Sequence, residues 1–350
     1  MGVNAEAISP KLDLKRSRLW KVRFDTKRKL IIKAMSKDSK GFLKREDETV
    51  QMVGARIRTN YVVVVYLCLV HLIAASAFFL PLRPVYFGLA VFNYFFIGFS
   101  TTIGLHRLLS HRSFRCPKWL EYTLVTGAML TGQGSPLLWV ANHRIHHQHS
   151  DETGDVHSPR RGFWYSHILW IIDDNSTDTD AYRKYCKDLN ADRYYHWLVR
   201  YRLVPQLAAV LLCGFTLGWA AVPCVFFLPV VCWMHSTYSV NSFCHHDWFG
   251  SRMFETREGS RNVWWVGLIA LGEGWHNNHH AVPRSVRHGM RWNQIDLSYL
   301  MIRLFATLGL AWDLQQPTAT THQHPKVQTA LPQRMRDAVN TAVGVAEPSS

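Results

Sequence analysis

Apolar and polar positions fall into long blocks along the 350 residues. Tyr61 to Leu80 runs about twenty residues without a charge, close to the roughly 20 that a helix needs to cross a bilayer. Val85 to Leu105 follows a tight Pro81-Leu-Arg-Pro84 turn. Leu203 to Trp219 and Ala220 to Met234 form a second hairpin hinged near Gly218 and Pro223, and Pro223 and Pro229 leave the limits of its last segment loose. Three further apolar pieces read differently from the spans. Cys116 to Trp139 is apolar but broken by Gly127, Gly132, Gly134 and Pro136, so it predicts helix partly embedded in the bilayer. Phe163 to Ile172 and Trp264 to Trp275 are aromatic and short, which suits the interface. Gln294 to Trp312 is amphipathic. The pattern predicts an all-α membrane protein with four transmembrane helices in two hairpins. The rest forms a cytosolic helical cap on a 56–313 membrane domain, between tails at 1–55 and 314–350.

Composition agrees: 48% of residues are hydrophobic and 14 are Trp, the residue that anchors spans at the interface. The net charge of +15 is uneven, since residues 1–60 hold 16 Lys/Arg against 7 Asp/Glu. A basic segment directly before a span stays in the cytoplasm. That places both termini there, in a multi-pass protein of a bacterial inner membrane or the endoplasmic reticulum. The same charge would suit nucleic acid, but beside spans it reads as attraction to anionic lipid, and no nucleic-acid partner is expected. No secretory leader is read, because the first apolar run starts near residue 61. Seven cysteines without a CxxC pair read as reduced.

Four stretches carry the chemistry: His106-Arg-Leu-Leu-Ser-His111, His143-Arg-Ile-His146-His147, Asn241-Ser-Phe-Cys-His245 and His276-Asn-Asn-His279-His280. Residues four apart share a helix face, so His143 and His147, His276 and His280, and Asn241 and His245 each point one way. Nine imidazoles are too many for one zinc ion and suit two irons with room for O2. The soluble carboxylate-bridged enzymes need paired ExxH motifs and further Glu residues. Glu273-Gly-Trp-His276 supplies the motif only once. Glu273, Asp151 and Asp247 are candidates to accept from the ligands' free N–H groups. His149, His157, His167, His196, His288, His322 and His324 fall outside the spacing and are not expected to bind metal.

Four stretches of the chain resemble the membrane fatty-acyl desaturases, most closely the stearoyl, delta-9-type branch. They are Gly104-Leu-His-Arg-Leu-Leu-Ser-His-Arg112, Trp139-Val-Ala-Asn-His-Arg-Ile-His-His147, Asp155-Val-His-Ser-Pro-Arg-Arg-Gly-Phe-Trp-Tyr-Ser-His167 and Gly272-Glu-Gly-Trp-His-Asn-Asn-His-His280. The likeness covers roughly residues 58–313. It implies that the nine histidines bind two irons, that Asn241 reaches one through water, and that an acyl tunnel bends at Trp139, Gln133 and Thr237. It implies a cis double bond placed in a long saturated chain, with O2 and electrons from an external carrier, cytochrome b5 or a ferredoxin with its reductase. The chain has no HPGG stretch of a fused haem domain.

The acyl carrier is open between coenzyme A and a lipid. Where the animal enzymes of this branch present cations to coenzyme A, this chain has Ala141, Asp174 and Asn175, with Asp173 alongside. Acids there would repel phosphate. A membrane hydroxylase or monooxygenase on the same scaffold is the alternative enzyme. A metal transporter is the alternative of another class, but it should carry ligands at mid-membrane depth. Here only His71 falls within an expected span.

Overall fold

The computed structural model describes residues 57–81, 83–174 and 181–317. The basic tail, His322, His324, Asn175 and most of the C-terminal tail lie outside the described residues. Within them the protein is helical, and backbone pairing between extended segments is confined to isolated bridges such as Thr59 with Asp173 and Arg115 with Trp312.

Helix α1 spans Tyr61–Ser76 and runs on as a tighter turn to Phe79. The Asn60 side chain caps it by accepting from the Val63 amide at 3.2 Å, which satisfies one of the free N–H groups of the first turn. Helix α2 is Pro84–Phe99, with proline in its first turn, and continues to Ser110 in a wider winding. Helices α3 (Lys118–Met129) and α4 (Pro136–His149) follow, separated by the Gly132–Gly134 break. Short α5 (Phe163–His167), α6 (Ala181–Tyr185) and α7 (Arg193–Arg200) lead to α8 (Val204–Leu217), which Gly218 ends at φ +89°. Helix α9 is Leu228–Phe243, α10 Trp264–Ile269, α11 His276–Ala281 and α12 Leu297–Thr307.

Three helical runs are long and apolar enough to cross a membrane: Tyr61–Phe79, Pro84–Ser110 and Trp219–Phe243. The third expected span behaves differently. Helix α8 has 14 residues, too few to cross alone. It passes the same test only when joined to α7 across a 66° bend. The last run is longer than its sequence limits suggested, because Pro223 and Pro229 each lie in the first turn of their own helical segment, Pro223–Phe227 and Leu228–Phe243, where missing N–H groups disrupt a helix least. His235 therefore lies within it, beside His71. His71 Nε2 meets His235 Nε2 at 3.1 Å, and His235 Nδ1 meets His167 Nε2 at 3.1 Å. This file of imidazoles ties α1, α9 and α5 together.

Val62, Leu69, Leu72 and Phe78 of α1 are exposed, while Leu67 and Val70 pack on Ile97, Val230 and Trp233. Lipid tails match the exposed face in polarity, so close packing rather than exclusion from water holds such helices together. A second core gathers Ile103, Leu109, Val125, Leu137, Leu198 and Ile302 around α2, α3, α4, α7 and α12. It is the platform on which the histidines stand.

Candidate metal centre

Each histidine stretch is placed by its own local device. The chain from Ser100 to Ser110 is π-helical, and the His111 amide donates to the His106 carbonyl five residues back at 3.2 Å. This widened turn brings residues five apart onto one face, and the two rings lie 4.9 Å apart. On α4, Ser135 caps the first turn and Pro136 opens it, so His143 and His147 stand one turn apart at 4.6 Å. Asn241 sits in the last turn of α9, and His245 follows just beyond its Cys244 cap. Helix α11 has only six residues and begins at His276. Its approach depends on Gly272 (φ +116°), where a Cβ would stand 2.3 Å from Asp296 Oδ1. It depends also on Gly274, where a Cβ would stand 2.1 Å from the Gly267 nitrogen.

The nine histidines converge as two groups. His106, His111, His143, His147 and His279 form one; His146, His245, His276 and His280 form the other. Their Nε2 atoms face one another: 3.1 Å for His106 and His279, 2.7 Å for His111 and His143, and 2.8 Å for His279 and His147. In the second group the separations are 3.3 Å for His146 and His280, 3.0 Å for His276 and His245, and 3.0 Å for His280 and His276.

Carboxylates decide what those facing atoms are. His106 Nδ1 lies 2.5 Å from Glu273 Oε2, His146 Nδ1 3.0 Å from Asp155 Oδ1, His245 Nδ1 3.1 Å from Asp151 Oδ1 and His280 Nδ1 3.3 Å from Glu258 Oε1. A carboxylate only accepts, so where the contact is a hydrogen bond, as between His146 Nδ1 and Asp155, the imidazole proton sits at Nδ1 and Nε2 is left as a bare lone pair; the other three pairs stand at ion-pair distance. His146 Nε2 is then an acceptor where it meets His280 Nε2. Lone pairs aimed at a common point and starved of protons are what a cation needs, so the residues present fit two metal ions.

Electrostatics agree. Burial, then the neighbouring imidazoles, hold His111, His143, His147, His276, His279 and His280 well below the usual histidine range, so they stay neutral. Burial also pushes His245 down, but Asp151 outweighs it and leaves His245 above that range. Glu273 is held ionised against its own burial by His106, His288 and Arg107. Arg107 has no exposed surface and joins Glu273 Oε1 (3.2 Å), Asp296 Oδ1 (2.9 Å) and the Val286 carbonyl (2.9 Å).

Of the expected carboxylate acceptors, Glu273 and Asp151 stand in place. Asp247 does not: it is exposed and pairs with Arg261 at 3.2 Å. Asp155 and Glu258 take that role instead, and no spacing in the sequence marked them. His157 and His288 belong to neither converging group but lie closer than their spacing suggested. Their rings sit 4.3 Å from His146 and 4.5 Å from His279. His167 bonds Ser242 Oγ at 2.9 Å, His196 the Asn190 carbonyl at 2.8 Å, and His149 packs beside Gly154.

A cavity of about 630 Å³ runs past the first group, lined among others by Gln133, Trp139, His143, Thr237 and Asn241. Trp139 lies nearly flat on His143, with centroids 5.3 Å apart and an angle of 17°. Its indole N–H donates to Gln133 Oε1 at 3.4 Å, and Gln133 Nε2 donates to Thr237 Oγ1 at 3.5 Å. The three expected bend residues thus form one string across the cavity.

The acids expected near a headgroup are otherwise employed. Asp173 is fully buried, accepting from Tyr165 Oη at 3.1 Å and from Arg161 Nη1 at 3.2 Å. Asp174 accepts from Asn60 Nδ2 at 2.8 Å. Ala141 is buried in the platform core. Asp173 and Asp174 pin the entry to α1; Asp173 is not an open acid, while Asp174 is half-buried.

Buried paired imidazole groups, carboxylate-backed and set against a cavity among apolar helices, define a class: membrane oxidoreductases built on histidine-held metals. Residues 83–313 match the family model for fatty acid desaturase. The sn-1 stearoyl-lipid 9-desaturase of Anabaena variabilis is 43% identical over 229 residues, 65% of this chain and 83% of that protein. The sn-2 palmitoyl-lipid 9-desaturase of a Nostoc species is 43% identical over 241 residues, 67% of this chain and 84% of that protein. The Delta-9 acyl-lipid desaturase 2 of Arabidopsis thaliana is 41% identical over 222 residues, 63% and 72% of the two chains. The chain belongs to the fatty acid desaturase family, in its delta-9 type.

Proposed function

We propose that this enzyme places a cis double bond at the delta-9 position of a long saturated acyl chain carried on a membrane lipid. The observation that carries the reading is the cavity that passes His143 and Trp139 directly beside the first imidazole group. The relatives' names, stearoyl-lipid and palmitoyl-lipid 9-desaturase, support the lipid carrier over coenzyme A. The ten side chains His106, His111, His143, His146, His147, Asn241, His245, His276, His279 and His280 would hold two irons, Asn241 through water. When bound, iron supplies the O2-dependent oxidation that breaks unactivated C–H bonds, with electrons from a separate carrier, cytochrome b5 or a ferredoxin.

The chain's own residues do the rest. Asp155 holds a proton at His146 Nδ1 and so would aim its Nε2 at the metals; Glu273, Asp151 and Glu258 stand beside the Nδ1 atoms of His106, His245 and His280 and would favour the same orientation. Trp139 forms the wall that presses the acyl chain toward His143. Gln133 and Thr237 brace that wall, and the apolar lining excludes water. The bent α7–α8 pair would complete four spans, with both termini and the metal centre in the cytoplasm and residues 56–313 as the catalytic unit.

The test is expression in a host lacking its own desaturase, with mass spectrometry of its lipids and chemical location of double bonds. Wild type should yield delta-9 monounsaturated chains and His147→Ala none. A hydroxylated chain instead would move the protein to the hydroxylases. Purified protein should carry two irons per chain.

A further inference from the structure

The cavity reaches the surface where α1 begins and α7 bends into α8. Its rim is built from Asn60, Val62, Arg202 and Leu203. Val62 and Leu203 are 79% and 51% exposed, so apolar side chains line the mouth on the outside as well as within. Exposed Tyr61, Trp197 and Tyr201 stand beside them, the residue types that mark the boundary between headgroups and hydrocarbon. A mouth with these walls opens sideways into a bilayer.

The charge at this rim is small and specific. Among the described residues, Arg202 is the one cation that lines the cavity. It is exposed, and no carboxylate among the described residues pairs with it. On the other side Asn60 is engaged by Asp174 at 2.8 Å, which brings a negative charge to the vicinity. Coenzyme A carries several phosphate charges and would need several cations. An uncharged sugar headgroup would need none. A single guanidinium matches a single phosphodiester, which it can hold with two parallel N–H donors.

We propose that Arg202 binds the phosphodiester of a glycerophospholipid whose acyl chain enters the cavity laterally between α1 and α8. This rests on the lipid-linked substrate proposed above and names its headgroup. The acyl ester then sits at the rim and the chain runs inward past Tyr66 to Trp139.

The experiment uses the full-length, iron-loaded protein in vesicles with an electron donor. Three stearoyl substrates are compared: phosphatidylcholine, uncharged monogalactosyldiacylglycerol, and free stearoyl-coenzyme A. Wild type should prefer phosphatidylcholine. Arg202→Gln should lower the ratio of phosphatidylcholine to galactolipid turnover about tenfold, through KM rather than kcat, and Arg202→Lys should restore part of it. A second readout needs no turnover: stearoyl-lysophosphatidylcholine should raise the Tm of wild type but not of Arg202→Gln. An unchanged ratio together with an unchanged Tm response overturns the assignment. So does a wild type that prefers the galactolipid or coenzyme A, while leaving desaturation itself in place. Desaturation of none of the three by wild type would instead sink the function on which the assignment rests.

Discussion

The two imidazole groups are built on different principles. The five-membered group gathers His106, His111, His143, His147 and His279, and among the described residues one of them, His106, is backed by a carboxylate. The four-membered group has fewer ligands, yet His146, His245 and His280 are each backed by Asp155, Asp151 and Glu258. One group holds its shape by crowding, the other by outer anions. The crowded group stands against the cavity through His143 and Trp139, where a carboxylate ring would put charge beside its apolar walls. The anion-backed group has one imidazole fewer, and Asn241 comes from the helix that leads into its His245.

The largest effect that tests this comparison is loss of a ligand. His279→Ala and His280→Ala remove neighbours in sequence but members of different groups. Each should cut activity by about 100-fold or more and leave about one iron instead of two. If either variant keeps two irons and full activity, the division into groups is wrong.

Next comes loss of an outer anion. Asp155→Asn should weaken metal binding by about 10–100-fold and take iron selectively from the four-membered group. Titration of metal-free protein with ferrous ion should then show one tight and one weak site. Two sites weakened alike would mean the groups share their support.

The pH dependence is smaller for each group involved. His111, His143, His147, His276, His279 and His280 sit below their usual range in the folded chain. Below about pH 6.5 the unfolded chain therefore takes up protons that the folded chain refuses, and stability falls as pH falls. The slope is at most about 1.4 kcal/mol per pH unit for each such residue. His245, raised by Asp151, works the other way, with stability that is lost as pH rises. Thermal unfolding of metal-free protein at pH 7.5, 6.5 and 5.5 should show a falling Tm. A rising one would mean that His245-type pairing dominates.

The smallest effect lies in the cavity. Thr237→Val removes an acceptor that Gln133 reaches only at 3.5 Å, so activity should fall no more than about threefold. Trp139→Ala, which opens the wall beside His143, should cost more and blur the position of the double bond. Equal losses in the two variants would show that the string acts as one unit.

The converging histidines were legible because their spacing matches helix periodicity, and both HxxHH boxes are on helices as that spacing required. The first box was legible as a motif but not as geometry. His106 and His111 share a face only through a π-helical turn, and nothing in HxxxxH announces one. Asp155 and Glu258 were hidden because they come from loops, where a carboxylate's partner depends on how distant segments meet. Asp173 shows the same limit in reverse. As a residue type beside Asp174 it read as open charge, yet the bridge between residues 58–60 and 172–174 buries it against Arg161 and Tyr165.

By itself, then, the sequence determined the family, the histidines that converge and the apolar runs. Each of these is a local pattern: a spacing, a residue type or a stretch without charge. Tertiary structure alone decided how nine ligands divide into five and four, which acids stand behind them, that α8 needs the bent α7 to reach a span's length, and where the cavity opens. The division of the histidines depends on side chains more than a hundred residues apart coming within 3 Å or so, and periodicity along one helix carries no information about its neighbour.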